Sequence, residues 1–190
     1  MRLPFKKGIS EEELYDLSLT LKTTANKYLR RARELTKQYR ALKKELEKKI
    51  KENPNSPVVR AEARRVLYLA RSAIKFYEEY NTLLMLADEI KNFVIRSEAL
   101  SQLKEEGLIN ILKKKLSPSL REKVKDAMTI NDLINRIIEG VEEMRLTTDF
   151  GVSDDEVEEF INSLATGKKS ETVSDLEKQL ETLEKQLEMI

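Results

Sequence analysis

Cysteine, histidine and tryptophan occur nowhere in the 190 residues. Without cysteine there can be no disulfide, no thiolate nucleophile and no thiolate metal ligand. Without histidine the commonest general base and zinc ligand are gone. A cysteine-free chain fits a reducing, cytosolic compartment. Long apolar runs are also missing. The longest, Leu83 to Ala87, is far short of the roughly 20 residues a membrane span needs. No stretch has the apolar region of a signal peptide, so a soluble chain with at most peripheral membrane contact is expected. Glycine is absent between Gly8 and Gly107, which excludes a glycine-rich phosphate loop in that span, and none is found elsewhere. Aromatics are 6 % and charged residues 36 %. Such a composition can cover narrow helical seams but has little with which to fill a deep core. No strand pattern appears.

Residues 11 to 106 carry the main signal. Leu14, Leu17, Leu21, Ala25, Tyr28, Ala32, Leu35, Tyr39, Leu42 and Leu46 recur at alternating three- and four-residue steps. Val59, Ala63, Val66, Ala70, Ala73, Tyr77, Tyr80, Leu84 and Ala87 do the same. Between them stand Pro54 and Pro57, the only prolines of the span, which remove backbone donors and force a turn. Two sustained stripes around a tight break predict an antiparallel helical hairpin over residues 10–106. Each arm would be about 60–70 Å long at ~1.5 Å per residue. Ser10 with Glu13 predicts a capping box at its start, and Ser56 with Pro57 the start of the second arm. That second arm also has Leu67, Ile74, Leu83, Ile90, Phe93 and Val94 on neighbouring faces. A two-helix seam cannot cover so wide a band, so either the rest of the chain or another copy must pack there.

Charge is polarised along the chain. Residues 1–75 hold 20 Lys+Arg against 9 Asp+Glu, a net of +11, and residues 76–190 hold 15 against 25, a net of −10. On the first arm Arg30, Arg33, Lys37, Arg40, Lys44, Lys48 and Lys51 repeat with the spacing of the apolar stripe but offset by one or two residues. They therefore form a strip facing away from the seam. Residues 21–75 contain 17 basic and 5 acidic residues, so most of these cations lack a local partner. The pattern points to an anionic partner, an intramolecular latch, or both. Before the hairpin, residues 1–9 set Leu3 and Phe5 among Arg2, Lys6 and Lys7. Such a segment reads as a frayed terminus or as a short wedge for a bilayer interface.

Beyond Gly107 the elements shorten. Residues 107–147 read as short helices broken at Ser117-Pro118, the last of them capped by Thr129 with Asp132. Ser153 with Glu156 caps a helix in 153–166 whose apolar face is Val157, Phe160, Ile161 and Leu164. A polar linker and an amphipathic helix with Leu176, Leu180, Leu183, Leu187 and Ile190 fill 167–190. The acidic clusters Glu11-Glu12-Glu13, Asp154-Asp155-Glu156 and Glu158-Glu159 lie at helix starts, where acids complement the dipole, and a metal site is not needed to explain them. No enzyme activity, cofactor or small-molecule substrate is expected.

In this order the parts resemble the ESCRT-III membrane-remodelling proteins: a basic, apolar tip, a long basic helix, a second long helix, short helices and an acidic tail. The stretch Arg64-Arg65-Val66-Leu67-Tyr68-Leu69-Ala70-Arg71-Ser72-Ala73-Ile74-Lys75 is similar to that family's second helix. The capped acidic stretch Ser153–Ile161 resembles its short regulatory helix, which folds back on the hairpin. The compact, cysteine-free chain is most similar to the archaeal, CdvB-type cell-division branch. The resemblance covers about residues 1–166 and implies an elongated, all-α, polymer-forming subunit. It would assemble with itself and with paralogous subunits on anionic membrane, at the cytoplasmic face of the division site, to constrict and sever membrane necks. Val157, Phe160, Ile161 and Leu164 would then serve autoinhibition or polymer contact. The family recruits an AAA ATPase with an MIT domain through leucines at the first, fifth and eighth positions of a C-terminal motif. Leu176, Leu180 and Leu183 match these, with Gln179 where arginine is usual and Glu184 where a basic residue often follows. The other reading of that helix is a heptad segment pairing with its neighbours. For the whole chain, the other reading is a basic hairpin that binds nucleic acid or serves as a structural coiled coil.

Overall fold

The computed structural model describes residues 10–97, 105–147, 151–168 and 171–188. Among them every regular element is helical: α1 (Glu11–Glu52), α2 (Pro57–Ser97), α3 (Glu105–Lys115), α4 (Pro118–Lys123), α5 (Ile130–Thr147), α6 (Asp154–Thr166) and α7 (Glu171–Glu188). The protein is all-α, built on the long pair α1 and α2.

Local chemistry sets the helix boundaries. The Ser10 N–H donates to Glu13 Oε2 at 2.7 Å and the Glu13 N–H donates to Ser10 Oγ at 3.2 Å, so the capping box that opens α1 is complete. A turn at 53–56, closed by the Ser56 N–H on the Asn53 carbonyl, separates α1 from α2. Ser117 caps α4, with Pro118 inside its first turn. The Asp132 N–H donates to Thr129 Oγ1 at 3.2 Å to begin α5. Ser153 and Glu156 form the reciprocal capping box of α6, which ends on Gly167 at φ 68°, a left-handed position suited to glycine. Gly107 lies in the first turn of α3, not before it. Residues Glu105 and Glu106 extend the helix in front of it, and one glycine in a first turn costs only about 1 kcal/mol.

The chain divides into two compact units, Met1–Lys27 with Glu79–Thr148, and Tyr28–Glu78 with Asp149–Ile190. In the first unit the Ser18 hydroxyl donates to the Ala87 carbonyl at 2.9 Å and Lys22 pairs with Asp88 at 3.1 Å, joining α1 to α2. Leu83, Ile90, Phe93 and Val94 are buried there, as are Leu108, Leu112, Leu120, Ile130, Leu133 and Ile137 of α3 to α5. Lys115 of α3 pairs with Glu89 of α2 at 3.4 Å. Arg121 replaces the amide that Pro118 lacks: its guanidinium donates to the carbonyls of Lys113, Lys114 and Leu116 and closes the end of α3.

In the second unit α1 meets α2 through the tilted Tyr28–Phe76 ring pair, centroids 5.6 Å apart, and the Lys49–Glu62 ion pair. One core joins Leu35, Tyr39, Leu46, Val59, Ala63, Val66, Leu67, Ala70, Ala73 and Ile74 to Val157, Phe160 and Ile161 of α6 and Val173 and Leu180 of α7. In this unit the apolar band of α2, at Leu67 and Ile74, is thus covered by α6 and α7. In the two seam stripes only Leu17, Leu42 and Leu84 are half-buried; the rest are buried.

Candidate anion-binding surface

The second unit concentrates opposite charges on two segments. Residues 28–78 hold 15 Lys+Arg against 6 Asp+Glu, and residues 149–190 hold 4 against 12. Folding brings part of each set together. On α2, Arg60 pairs with Glu158, Arg64 with Asp154 and Arg71 with Glu156, while Arg71 also donates to the Gly151 carbonyl at 3.0 Å. On α1, Arg40 pairs with Glu184 and Lys43 with Glu177 of α7. The Tyr39 hydroxyl donates to Glu177 Oε1 at 3.5 Å. Burial raises the Tyr39 hydroxyl pKa well above the ordinary tyrosine value, and the Glu177 carboxylate raises it further. Glu156 shows a different balance. Burial pushes its carboxyl up, yet the Ser153 N–H and Arg71 together hold it below the usual carboxylate range.

The strip on α1 is what remains after this pairing. Arg30, Arg33, Lys37, Lys44, Lys48 and Lys51 are all exposed, and none makes an ion pair among the described residues. Arg40, the seventh cation of the predicted strip, is the one engaged by α7. The remaining six lie along about 32 Å of helix at 1.5 Å per residue. Six uncompensated ammonium and guanidinium groups in a line form a surface for anions. Tyr28 and Tyr39, which stand among these cations in the sequence, are buried at 7 % and 5 % exposure and turned into the core. The strip therefore offers no ring on which a base could stack.

The other sequence-predicted residues fall in three places. Arg2, Leu3, Phe5, Lys6 and Lys7 lie outside the described residues. Val157, Phe160 and Ile161 are buried in the second unit's core, with Leu164 half-buried against it. Leu180 is buried in the same core, and Leu176 and Leu183 pack on it half-buried. Sequence reasoning expected rear acids to meet front cations but did not single out Arg60, Arg64 and Arg71. Their four- and seven-residue spacing puts them on one face of α2, and that was the available signal.

No helix among the described residues is long and apolar enough to cross a membrane. Compared with protein-family models, with curated proteins and with solved structures, the chain matches none.

Proposed function

We propose that this protein is an ESCRT-III-like subunit that assembles on anionic membrane and remodels it during cell division. One observation carries the reading: the six exposed cations on one face of α1 that α6 and α7 leave unpaired. Near a negatively charged surface each contributes on the order of 1 kcal/mol, screened by salt. Residues 1–9 supply Leu3 and Phe5 as an interfacial wedge, with Arg2, Lys6 and Lys7 beside the headgroups. Self-association with further copies and paralogous subunits, and action on the cytoplasmic face of the division site, follow from the family resemblance. Docked α6 and α7 represent the closed form, since they occupy the apolar band of α2 and part of the basic charge. An ATPase that reads Leu176, Leu180 and Leu183 requires α7 to leave the core, because those leucines pack inward while it is docked.

The test is vesicle binding at matched salt. Replacing Arg33, Lys37, Lys44 and Lys48 by Glu removes four cations that have no intramolecular partner. The expected loss in binding to phosphatidylserine vesicles is at least about 4 kcal/mol, roughly a thousandfold. Unchanged co-sedimentation would reduce the strip to a solvated face. Preferential binding to an oligonucleotide in the same buffer would replace the membrane by nucleic acid.

A further inference from the structure

In the first unit the outer face of α1 carries an apolar pair left open among the described residues. Tyr15 is 45 % exposed and Leu19 63 %, the latter the more exposed of the two large apolar side chains left open on this helix. At i and i+4 they lie side by side. Acids surround them: Glu11 and Glu12 stand four and three residues before Tyr15, and Asp16 three residues before Leu19. All three are exposed, and none forms an ion pair among the described residues. A bare apolar patch rimmed by unpaired carboxylates suits a ligand that is both apolar and cationic. It is ill suited to an anionic lipid surface.

The segment just before Ser10 has that chemistry. Leu3 and Phe5 are its bulky apolar residues, and Arg2, Lys6 and Lys7 its cations. Along the axis Tyr15 lies about 8 Å and Leu19 about 13 Å beyond Ser10. With a reversal at Gly8, the three residue steps back to Phe5 span up to about 10 Å when extended and the five to Leu3 up to about 17 Å, so Phe5 reaches Tyr15 and Leu3 reaches Leu19. Docking of this segment would need the chain to reverse near Gly8, and glycine permits such a turn in conformations closed to other residues. We propose that residues 1–9 dock on the Tyr15–Leu19 face of α1, Phe5 and Leu3 on the apolar pair and Arg2, Lys6 and Lys7 against Glu11, Glu12 and Asp16. Away from a membrane this contact stores the two apolar side chains. The docking stands on the patch alone; its use as a store for a membrane wedge rests on the proposed function.

Because the chain has no cysteine, spin labels can be placed at two chosen positions in the full-length protein. With Pro4→Cys and Thr23→Cys, docking brings the labels closer than the ~20 Å that separates Thr23 from Ser10 along the helix axis. The expected result in dilute, vesicle-free solution is a narrow short-distance population. It should be lost in Tyr15→Ser/Leu19→Ser, whose helicity by circular dichroism stays intact because both side chains are exposed. Distances spread at and beyond the axial separation would overturn the proposal. So would a short distance seen only in mixtures of singly labelled chains, which would assign the patch to a second copy. Phosphatidylserine vesicles should abolish the short population if the membrane reading holds. A chain that ignores vesicles but keeps the short distance removes that reading and leaves the docking in place.

Discussion

Among the described residues Tyr77 is the largest side chain that is fully buried, and its hydroxyl has no hydrogen-bond partner there. Burial raises that hydroxyl's pKa, with the nearby Thr36 side chain acting the other way; Thr36 itself donates to the Ala32 carbonyl. An unsatisfied buried hydroxyl costs about 1–3 kcal/mol. Tyr77→Phe keeps the ring and removes the oxygen, so it should leave the protein as stable as before or stabilise it by about 1 kcal/mol. Thermal unfolding checks this. A loss of more than about 1 kcal/mol would mean that the hydroxyl is bonded, for example through a buried water. Ser72 presents a second buried hydroxyl without a partner, in the same unit.

At the scale of elements, α6 is held by an apolar face and by a rim of ion pairs that differ in exposure. Arg60–Glu158 and Arg64–Asp154 are more than half exposed and contribute little. Arg71–Glu156 is about three-quarters covered, and Glu156 also closes the capping box. The Glu156 carboxyl is held below its ordinary value of 4.5. A depressed folded-state value adds stability above the unfolded value and loses it as pH falls through the folded one. Docking of α6 should therefore be fully supported at neutral pH and weaken below about pH 4.5. Amide exchange across residues 154–166, followed from pH 6 to pH 3, checks it. Glu156→Gln should be less protected at pH 6, and its protection relative to the unfolded chain should change less across that window. A variant as protected as the parent would show that the apolar face alone holds the helix.

Across the whole molecule the net charge of +1 conceals two segments of opposite sign, part of whose charge is paired through α6 and α7. Release of both uncovers Leu67 and Ile74 of α2 together with Arg60, Arg64, Arg71, Arg40 and Lys43. Removing the cover shifts a population and leaves the surfaces beneath unaltered. Truncation after Asp149 should raise both vesicle binding and the fraction that sediments as filaments. Negative-stain microscopy separates ordered filaments from amorphous aggregate. The charge reversal Arg60→Glu/Arg64→Glu/Arg71→Glu weakens docking of α6 without exposing the whole apolar band, and should move assembly in the same direction. A truncated chain that stays monomeric where the intact one assembles would refute the latch.

Much of this architecture is legible in residue order, because it depends on local rules. The 3-4 recurrence from Leu14 to Leu46 and from Val59 to Ala87 gives helical period and buried face directly. Ser10 with Glu13, Ser56 with Pro57, Thr129 with Asp132 and Ser153 with Glu156 mark helix starts through contacts three residues long or shorter. The outward turn of Arg30, Arg33, Lys37, Lys44, Lys48 and Lys51 follows from the same periodicity. Only tertiary structure could decide what covers the broad band of α2, since an apolar face specifies burial but not the surface that buries it. The same holds for Arg40, which differs from Lys44 in no local respect. It is paired because α7 brings Glu184 to it across 144 positions of sequence. Leu176, Leu180 and Leu183 likewise read as an open motif until the fold turns them onto the second unit's core. Periodicity is a property of one helix, whereas pairing is a property of two, and the second helix is chosen by the competition of all faces for burial.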